Sequence, residues 1–592
     1  MNNFTRLFDI PYYELANFPK EDCLCNKVNG EWKKYSTQNV IDKMNEVSSA
    51  LLQLGFTKGD KIAIVSNNRP EWNFLDFGMM QIGVINVPVY PTISEDDYKY
   101  IFNDAQVKLV FVSDEFLFQK VNQIKSFVPS ITEIYSFNKI SGVKNVEDFL
   151  ALAKVDDDMN KIESAKYDVG ENDLSCLIYT SGTTGFPKGV MLSHRNVVEN
   201  LKAAKPFVPV GKDHRALSFL PLNHSFEKLI VYLYMMCGVS IYYAESIETI
   251  GDNLKEIKPH VFTAVPRLLE KVFEKIMNTG MGLKGIKRAL FFWAIRVGEK
   301  FDTQQAGSLW YRLQLAITNK LIFSKWRAAL GGNVICIVSG SAPLQPRLAR
   351  MFWAGQIKVL EGYGLTETSP VISVNHVEPK ETFFGSVGLP LPNVEVKIAD
   401  DGELLFKGPN IMLGYYNKPV ETREVFDEEG WFHSGDIGEI IPGGFLKITD
   451  RKKELFKTSG GKYVAPQVVE NKLKESFLIE QAMIVGAEKK FVSALIVPSI
   501  INLKKWCAAN NIAYTTDEAM MKNEKVRAEI RKIIDEKNKT LGHVEQVKKF
   551  TLVHDEWTPQ NDMLTPTMKL KRKPLLAKYK GEIERIYAEG NS

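Results

Sequence analysis

Apolar residues fall along this chain in short continuous runs separated by amphipathic stretches of helical length. KIAIVS at 61–66 predicts a buried strand and Pro70 suits the first turn of a helix. Gly83 ends that helix before a strand over 84–88, which makes a β-α-β unit. A further strand is expected over 106–113. The alternation returns with a strand at 260–264 before a helix opening at Pro266, then with a strand at 333–338, a helix over 346–354 and a strand at 357–360. Alternation on this scale predicts parallel α/β layers. The longest apolar run, 229–244, is bounded by Lys228 and Glu245 and broken by Gly238. It falls short of the ~20 residues that cross a bilayer, and it predicts a buried helix followed by a strand.

After about residue 385 the pattern changes. The pieces 394–398 and 403–407 flank Asp400-Asp401-Gly402 and read as a hairpin, since the turn suits positive φ. Gly443 and Gly444 introduce a short strand at 445–449, and the charged run DRKKE follows at 450–454. The expected fold class is α/β: a large N-terminal domain of layered α/β subdomains with a small β-barrel-like part over 1–449, then a smaller α+β domain over 450–592.

With 592 residues the chain is too long for one core, which agrees with that division. Hydrophobic residues at 45% and charged residues at 25% are those of a soluble globular protein. Of six cysteines only Cys23 and Cys25 are close-spaced, too little for structural zinc or a disulfide framework. A reducing cytoplasm is the expected location, and MNNFTR at the start lacks the apolar core of a signal peptide. The net charge of +4 is uneven: residues 451–592 hold 27 Lys and Arg against 18 Asp and Glu, so the first 450 are net negative. No recognition motif accompanies the basic tail, which argues against nucleic acid; a solvated helical face explains most of the charge over 526–549, and a polyanionic small ligand is the functional alternative.

The candidate chemistry centres on YTSGTTGFPKGV at 179–190. A strand over 174–180 leads into Gly182 and Gly185, whose backbone NH groups can turn toward an anion. Thr180, Ser181, Thr183 and Thr184 add hydroxyls, and Lys188 adds a charge. A Walker loop needs Ser or Thr after its lysine, yet Gly189 stands there. The next residues, 189–192, read as a second strand, with helix signals starting only at Ser193, an N-cap. The loop therefore grips phosphate between two strands, and it points to ATP.

Five further segments follow in order: SGSAPL at 339–344, LEGYGLTET at 360–368, WFHSGD at 431–436, DRKKEL at 450–455 and LTPTMKLKR at 564–572. Together with the loop they make the chain resemble the AMP-forming acyl-CoA synthetases of the adenylate-forming superfamily, from about residue 30 to about residue 580. LPLNHSFE at 220–227 and the insert at 281–332 resemble the long-chain fatty acid branch. The resemblance implies that a fatty acid carboxylate attacks the α-phosphate of ATP, and that the acyl-adenylate then passes its acyl group to coenzyme A. It implies that Thr366 contacts the α-phosphate and that Glu367, with Thr183, holds Mg²⁺. Gly340, Ser341, Ala342 and Pro343 would line the adenine, with Gly362, Tyr363 and Gly364 beside it. Asp436 and Arg451 would hold the ribose. Lys569 would stabilise charge between carboxylate and phosphate. Lys571 shares a face with it in an extended segment, and family spacing favours Lys569. A hinge at about 450–455, with Lys453 in the hinge position, would then rotate the small domain and present Gly460 and Gly461 to coenzyme A. His224 would line the channel between the acyl and thiol sites, or serve as an ordinary packed histidine.

In the insert, Leu283, Ile286, Leu290, Trp293 and Val297 recur at helical spacing among Lys284, Lys287, Arg288 and Lys300. Such a helix suits peripheral contact with the inner face of a membrane, but this pattern more often packs on its own domain or on a second subunit, as in a homodimer. Three rival readings stand beside the CoA ligase: an acyl-AMP ligase without CoA transfer, a peptide-synthetase adenylation module, and a non-catalytic nucleotide- or fatty-acid-binding module. Asn223-His224-Ser225, where such modules carry an Asp, weighs against the second.

Overall fold

The computed structural model describes residues 4–180, 186–305, 307–558, 561–565 and 568–588. It is a mixed α/β structure with two large sheets, a four-stranded sheet and a three-stranded sheet. Contacts divide the chain into two compact units: Met1–Val396, Phe406–His433 and Pro442–Leu446 form the larger, and Lys397–Leu405, Ser434–Ile441 and Lys447–Ser592 form the smaller.

In the larger unit the predicted β-α-β unit is present as the strand Lys61–Val65, the helix Pro70–Met80 and the strand Ile85–Pro88. The two strands pair in parallel, and Leu109–Val112 and Glu133–Ser136 extend the same sheet on the other side. Their residues are almost all buried, because helices cover the faces of a parallel sheet. This seven-stranded sheet ends in an antiparallel edge made by Leu174–Thr180, Lys188–Ser193 and Gly414–Tyr415. The nine-stranded sheet has a parallel centre, with Arg215–Ser218, Val261–Ala264, Cys336–Ser339 and Lys358–Gly364 side by side.

The apolar run at 229–244 is a helix followed by a strand, Ser225–Met236 and Ser240–Tyr243. Two local expectations shift. The helix opens four residues before Leu229, because the His224 imidazole caps it by accepting the Phe226 NH at 3.1 Å. The sequence also reads as a strand over 217–221 before His224, and that strand stops at Ser218. There Asn68 donates to the Leu220 carbonyl at 2.6 Å and accepts the Leu222 NH at 2.9 Å.

The expected hairpin near 400 forms from Glu395–Ile398 and Glu403–Lys407, with Gly402 at φ 85°. Phe432–Ile441 and Phe445–Arg451 complete the four-stranded sheet. In the smaller unit, Ile479–Val485, Val492–Pro498 and Val547–Leu552 form the three-stranded sheet. Its alternate residues fill two cores: Ala482, Ile484, Ala494 and Ile496 face one, while Met483, Val485, Leu495 and Val497 face the other. Both sides of this sheet are covered, which is the period-two consequence of a continuous apolar strand.

Candidate active site

In the larger unit, loops leave the carboxyl ends of the parallel strands, the side of an open α/β sheet where ligands bind. The strand pair behind the candidate phosphate loop places Thr180 opposite Lys188 and Tyr179 opposite Gly189. Ser181, Gly182, Thr183 and Thr184 lie outside the described residues. Gly189, the residue that excludes a Walker loop, is dictated by packing: a Cβ there would meet Leu177 and Tyr179 side-chain atoms at 3.0 Å. Ser193 caps the next helix, His194–Ala204, by accepting the Asn196 NH at 3.1 Å.

Lys188 does not extend alone. Its Nζ lies 4.8 Å from the centroid of the Tyr415 ring, and the Tyr415 hydroxyl donates to Glu367 Oε1 at 2.9 Å. Glu367 sits in the 3₁₀ turn Thr366–Thr368, whose Thr366 Oγ1 shares a hydrogen bond with Ser225 Oγ at 3.2 Å. Lys188, Glu367, Thr366 and Ser225 are thus linked through two hydroxyl contacts and one cation–π contact. The turn is held from behind, since the Glu367 carbonyl accepts the Met412 NH at 2.9 Å. Gly364 precedes it, and a Cβ there would fall 1.6 Å from the Pro370 carbonyl oxygen.

Buried polar contacts fix the helix that carries His224 and Ser225. Glu227, fully buried, accepts from Ser218 Oγ at 2.6 Å and from Thr263 Oγ1. It ties the first helical turn to two strand ends, and burial pushes its carboxyl up to about 7. The next residue, Lys228, pairs with buried Asp76 at 2.8 Å, and Asp76 also accepts from Tyr232 and Asn86. The His224 ring stands 6.5 Å from that of Tyr90, edge to face.

Gly340, Ser341, Ala342 and Pro343 form the loop after Cys336–Ser339, with Ser341 at φ 69°. Buried Glu361 accepts the Leu344 NH at 2.9 Å and locks this loop to the strand Lys358–Gly364, which carries Gly362, Tyr363 and Gly364. Desolvation raises the Glu361 carboxyl from 4.5 to about 8. Tyr363 packs against Phe406 at 5.9 Å between ring centroids.

In the smaller unit, Asp436 is buried and pairs with Arg451 Nε at 3.2 Å. Neighbouring Asp450 is pushed up to about 7 by burial, although it accepts the NH groups of Arg451 and Gln467. Gly460 and Gly461 form an exposed turn between Phe456–Lys457 and Tyr463–Val464. A Cβ on Gly461 would meet nothing within 4 Å. Lys569 lies at a second turn, where its NH donates to Thr565 Oγ1 at 3.0 Å and its carbonyl accepts the Thr565 NH at 2.8 Å. Lys571 is committed to an ion pair with Asp562. Arg572 bridges Glu454 at 3.0 Å and Glu470 at 2.9 Å, so the segment after Lys569 is anchored to the end of the DRKKEL run.

Ser225 and Glu361 lie inside the quoted segments 220–227 and 360–368 without a site role having been assigned to either, and Tyr415 lies outside every quoted segment. Tyr415 follows Gly414, whose φ of 137° and whose Cβ position, 2.8 Å from Thr422, admit no side chain.

The AMP-binding enzyme family model matches residues 13–416, and the model for the AMP-binding enzyme C-terminal domain matches residues 454–591. The chain belongs to the AMP-binding enzyme family. It is 34% identical to the long-chain-fatty-acid–CoA ligase FadD15 of Mycobacterium bovis, over 95% of this chain and 93% of that protein. It is 31% identical to the human long-chain-fatty-acid–CoA ligase 1, over 94% of this chain and 82% of that protein. Among solved structures, the adenylation domain of a carboxylate reductase from Mycobacterium chelonae superposes with a TM-score of 0.76 at 21% identity, covering 99% of this chain and 92% of that one. That likeness speaks for the fold of this AMP-binding enzyme.

Proposed function

We propose that this AMP-binding enzyme is an AMP-forming long-chain fatty acid CoA ligase. The observation that carries the reading is the linked set of Lys188, Tyr415, Glu367, Thr366 and Ser225 at the mouth of the phosphate hairpin. A cation, a carboxylate and hydroxyls fixed on separate elements suit a polyphosphate in transit between bonding partners.

In the first half-reaction a carboxylate oxygen of the fatty acid attacks the α-phosphorus of ATP. The bond to the bridging oxygen breaks and pyrophosphate leaves, giving acyl-AMP. The Thr366 hydroxyl donates to the α-phosphate, and Lys188 with the hydroxyls and NH groups of 180–184 binds the outer phosphates. Gly340–Pro343 and 362–364 receive the adenine, and Asp436 with Arg451 the ribose. Lys569, which the family's motif spacing favours over Lys571, is the amine that stabilises charge at the reacting oxygen atoms. Magnesium takes most of its ligands from water and phosphate, so one carboxylate is a fitting protein contribution. Glu367 fits that need: it is half-buried, and Tyr415 orients one of its oxygens. The ion when bound neutralises phosphate charge.

In the second half-reaction the sulfur of coenzyme A attacks the acyl carbonyl, the C–O bond to AMP breaks, and thioester and AMP form. This requires Lys569 to withdraw, for which the smaller domain, 450–592, turns about 450–455. The exposed Gly460–Gly461 turn then meets the pantetheine arm, and His224 lines the channel between acyl and thiol sites. A substrate of this kind partitions into bilayers, so peripheral contact with a membrane belongs to the same reading.

Acids from acetate to long-chain, incubated with ATP and Mg²⁺ with and without CoA, test it. Pyrophosphate release is expected to need both ATP and acid, to rise with chain length, and to yield thioester when CoA is present. An adenylate that accumulates unchanged in the presence of CoA would contradict the transfer step.

A further inference from the structure

Two of the helices in the insert differ. Gly285–Gly298 packs inward through Phe291, Ala294 and Val297, while Ile286 near its start stays exposed. The following helix, Leu309–Thr318, buries only Thr318. Leu309, Leu313 and Ile317, spaced by four, continue into Leu321 on the next turn, Asn319–Phe323, as a single exposed stripe flanked by Trp310. Leu309 is 84% exposed and Trp310 68%. An apolar stripe on an otherwise well-packed unit marks a contact surface.

This stripe is held firmly. The Tyr311 hydroxyl donates to the Val297 carbonyl at 3.2 Å, Asn319 donates to the Ala354 carbonyl at 2.8 Å, and Arg327 donates to Asn319 and to the Gly355 carbonyl. The side chains therefore project from a fixed base.

Charge identifies the occupant. Residues 275–328 contain ten Lys and Arg against two Asp and Glu, inside a first 450 residues that are net negative. Both acids are engaged: Glu299 pairs with Arg347 at 2.6 Å, and Asp302 accepts the Gln304 NH at 2.8 Å. Lys284, Lys287 and Arg288 about the start of the first helix, Arg312 within the second, and Lys320 and Lys325 just after it are all exposed. A second copy of the chain docked through the same face in two-fold symmetry would set this positive field against itself. An anionic bilayer offers the opposite charge together with an apolar interior for Trp310 and the leucines.

We propose that the helix Leu309–Thr318, with the exposed start of Gly285–Gly298, is a docking surface for an anionic phospholipid membrane, lying in the headgroup region rather than crossing it. No helix among the described residues is long and apolar enough to span. The biological sense of the proposal rests on the fatty acid reading, but its test does not.

Sedimentation of the full chain with phosphatidylcholine vesicles containing 30 mol% phosphatidylglycerol reads the binding directly, at the ~0.1 M salt where surface charge is only partly screened. Wild type should bind these vesicles at least tenfold more tightly than pure phosphatidylcholine, and should lose binding as salt rises. Leu309→Glu/Leu313→Glu/Ile317→Glu should abolish binding, and Lys287→Glu/Arg288→Glu should weaken it about tenfold. Both variants should keep wild-type turnover on an octanoate-length acid presented without lipid, which shows that they are folded. Equal binding by wild type and the triple variant overturns the proposal, as does absence of binding by wild type. A concentration-dependent dimer in analytical ultracentrifugation that the triple variant abolishes also overturns it, by assigning the face to a second copy. If vesicle binding fails while turnover persists, the ligase reading stands alone. If turnover is absent while binding holds, the surface stands alone.

Discussion

The two units hold their candidate chemistry in opposite ways. In the larger one, Lys188, Glu367 and Thr366 are tied to Tyr415 and Ser225, and the backbone behind them is closed, as at Gly364 against Pro370. In the smaller one, Gly460–Gly461 and Lys569 sit on short turns, and the space around Gly461 is open. On the proposed mechanism, the contrast separates a preorganised binding surface, whose groups need no rearrangement as charge develops, from a part that approaches and withdraws. On that reading rigidity belongs where the nucleotide would be gripped, and open turns belong where partners would change between half-reactions.

The contrast breaks most visibly at its glycines. Gly364→Ala forces a Cβ into a backbone oxygen, so a loss of about 3 kcal/mol or more is expected, with little folded protein left to assay. Gly461→Ala, at φ 73° but in open space, should cost about 1–2 kcal/mol locally. It should raise the KM for CoA while leaving pyrophosphate release intact. Thermal melts and the two half-reaction assays check both, and equal destabilisation by the two substitutions would erase the distinction.

Tyr415→Phe sharpens the comparison by removing one hydroxyl from the rigid set. A hydrogen bond to a charged group contributes about 1.5–3 kcal/mol, so adenylation should fall about tenfold or more. Transfer from preformed acyl-AMP should barely change. The loss should be partly offset by raised magnesium if Tyr415 acts by orienting Glu367, which a magnesium titration reads.

The smallest effect is one of pH. Glu361 ionises near 8 in the folded chain against 4.5 as its ordinary value, so the fold holds a proton that the unfolded chain releases. Its contribution is therefore complete below about 4.5 and is lost as pH rises toward about 8. Glu361→Gln keeps an oxygen for the Leu344 NH and cannot ionise. Its melting temperature relative to wild type should climb between pH 5 and 8 and level off above, as pairwise melts across that range would record.

Much of this was readable in the chain. The strand pair around the phosphate loop, the cap at Ser193 and the helix start at Pro266 follow from local pattern, because turn chemistry and period are local properties. Tyr415 was not readable, since its meaning lies in contacts to residues 188 and 367, which only the fold joins. The insert misled in a similar way. Helical spacing around Leu290 and Val297 is the signature of a packed face, while in the neighbouring helix 309–318 apolar residues outnumber Arg312 and Gln314 so heavily that no polar side marks which face meets solvent.

The most direct measurement separates the two half-reactions in Lys569→Ala. Acyl-AMP formation, followed by pyrophosphate release, should drop by about 10²–10³, the loss typical of one preorganised charge-stabilising group. Thioester formation from supplied acyl-AMP and CoA should stay within about threefold of wild type, the measure of a group absent from that transition state. Equal losses in both halves would contradict a lysine that serves the first step and withdraws for the second.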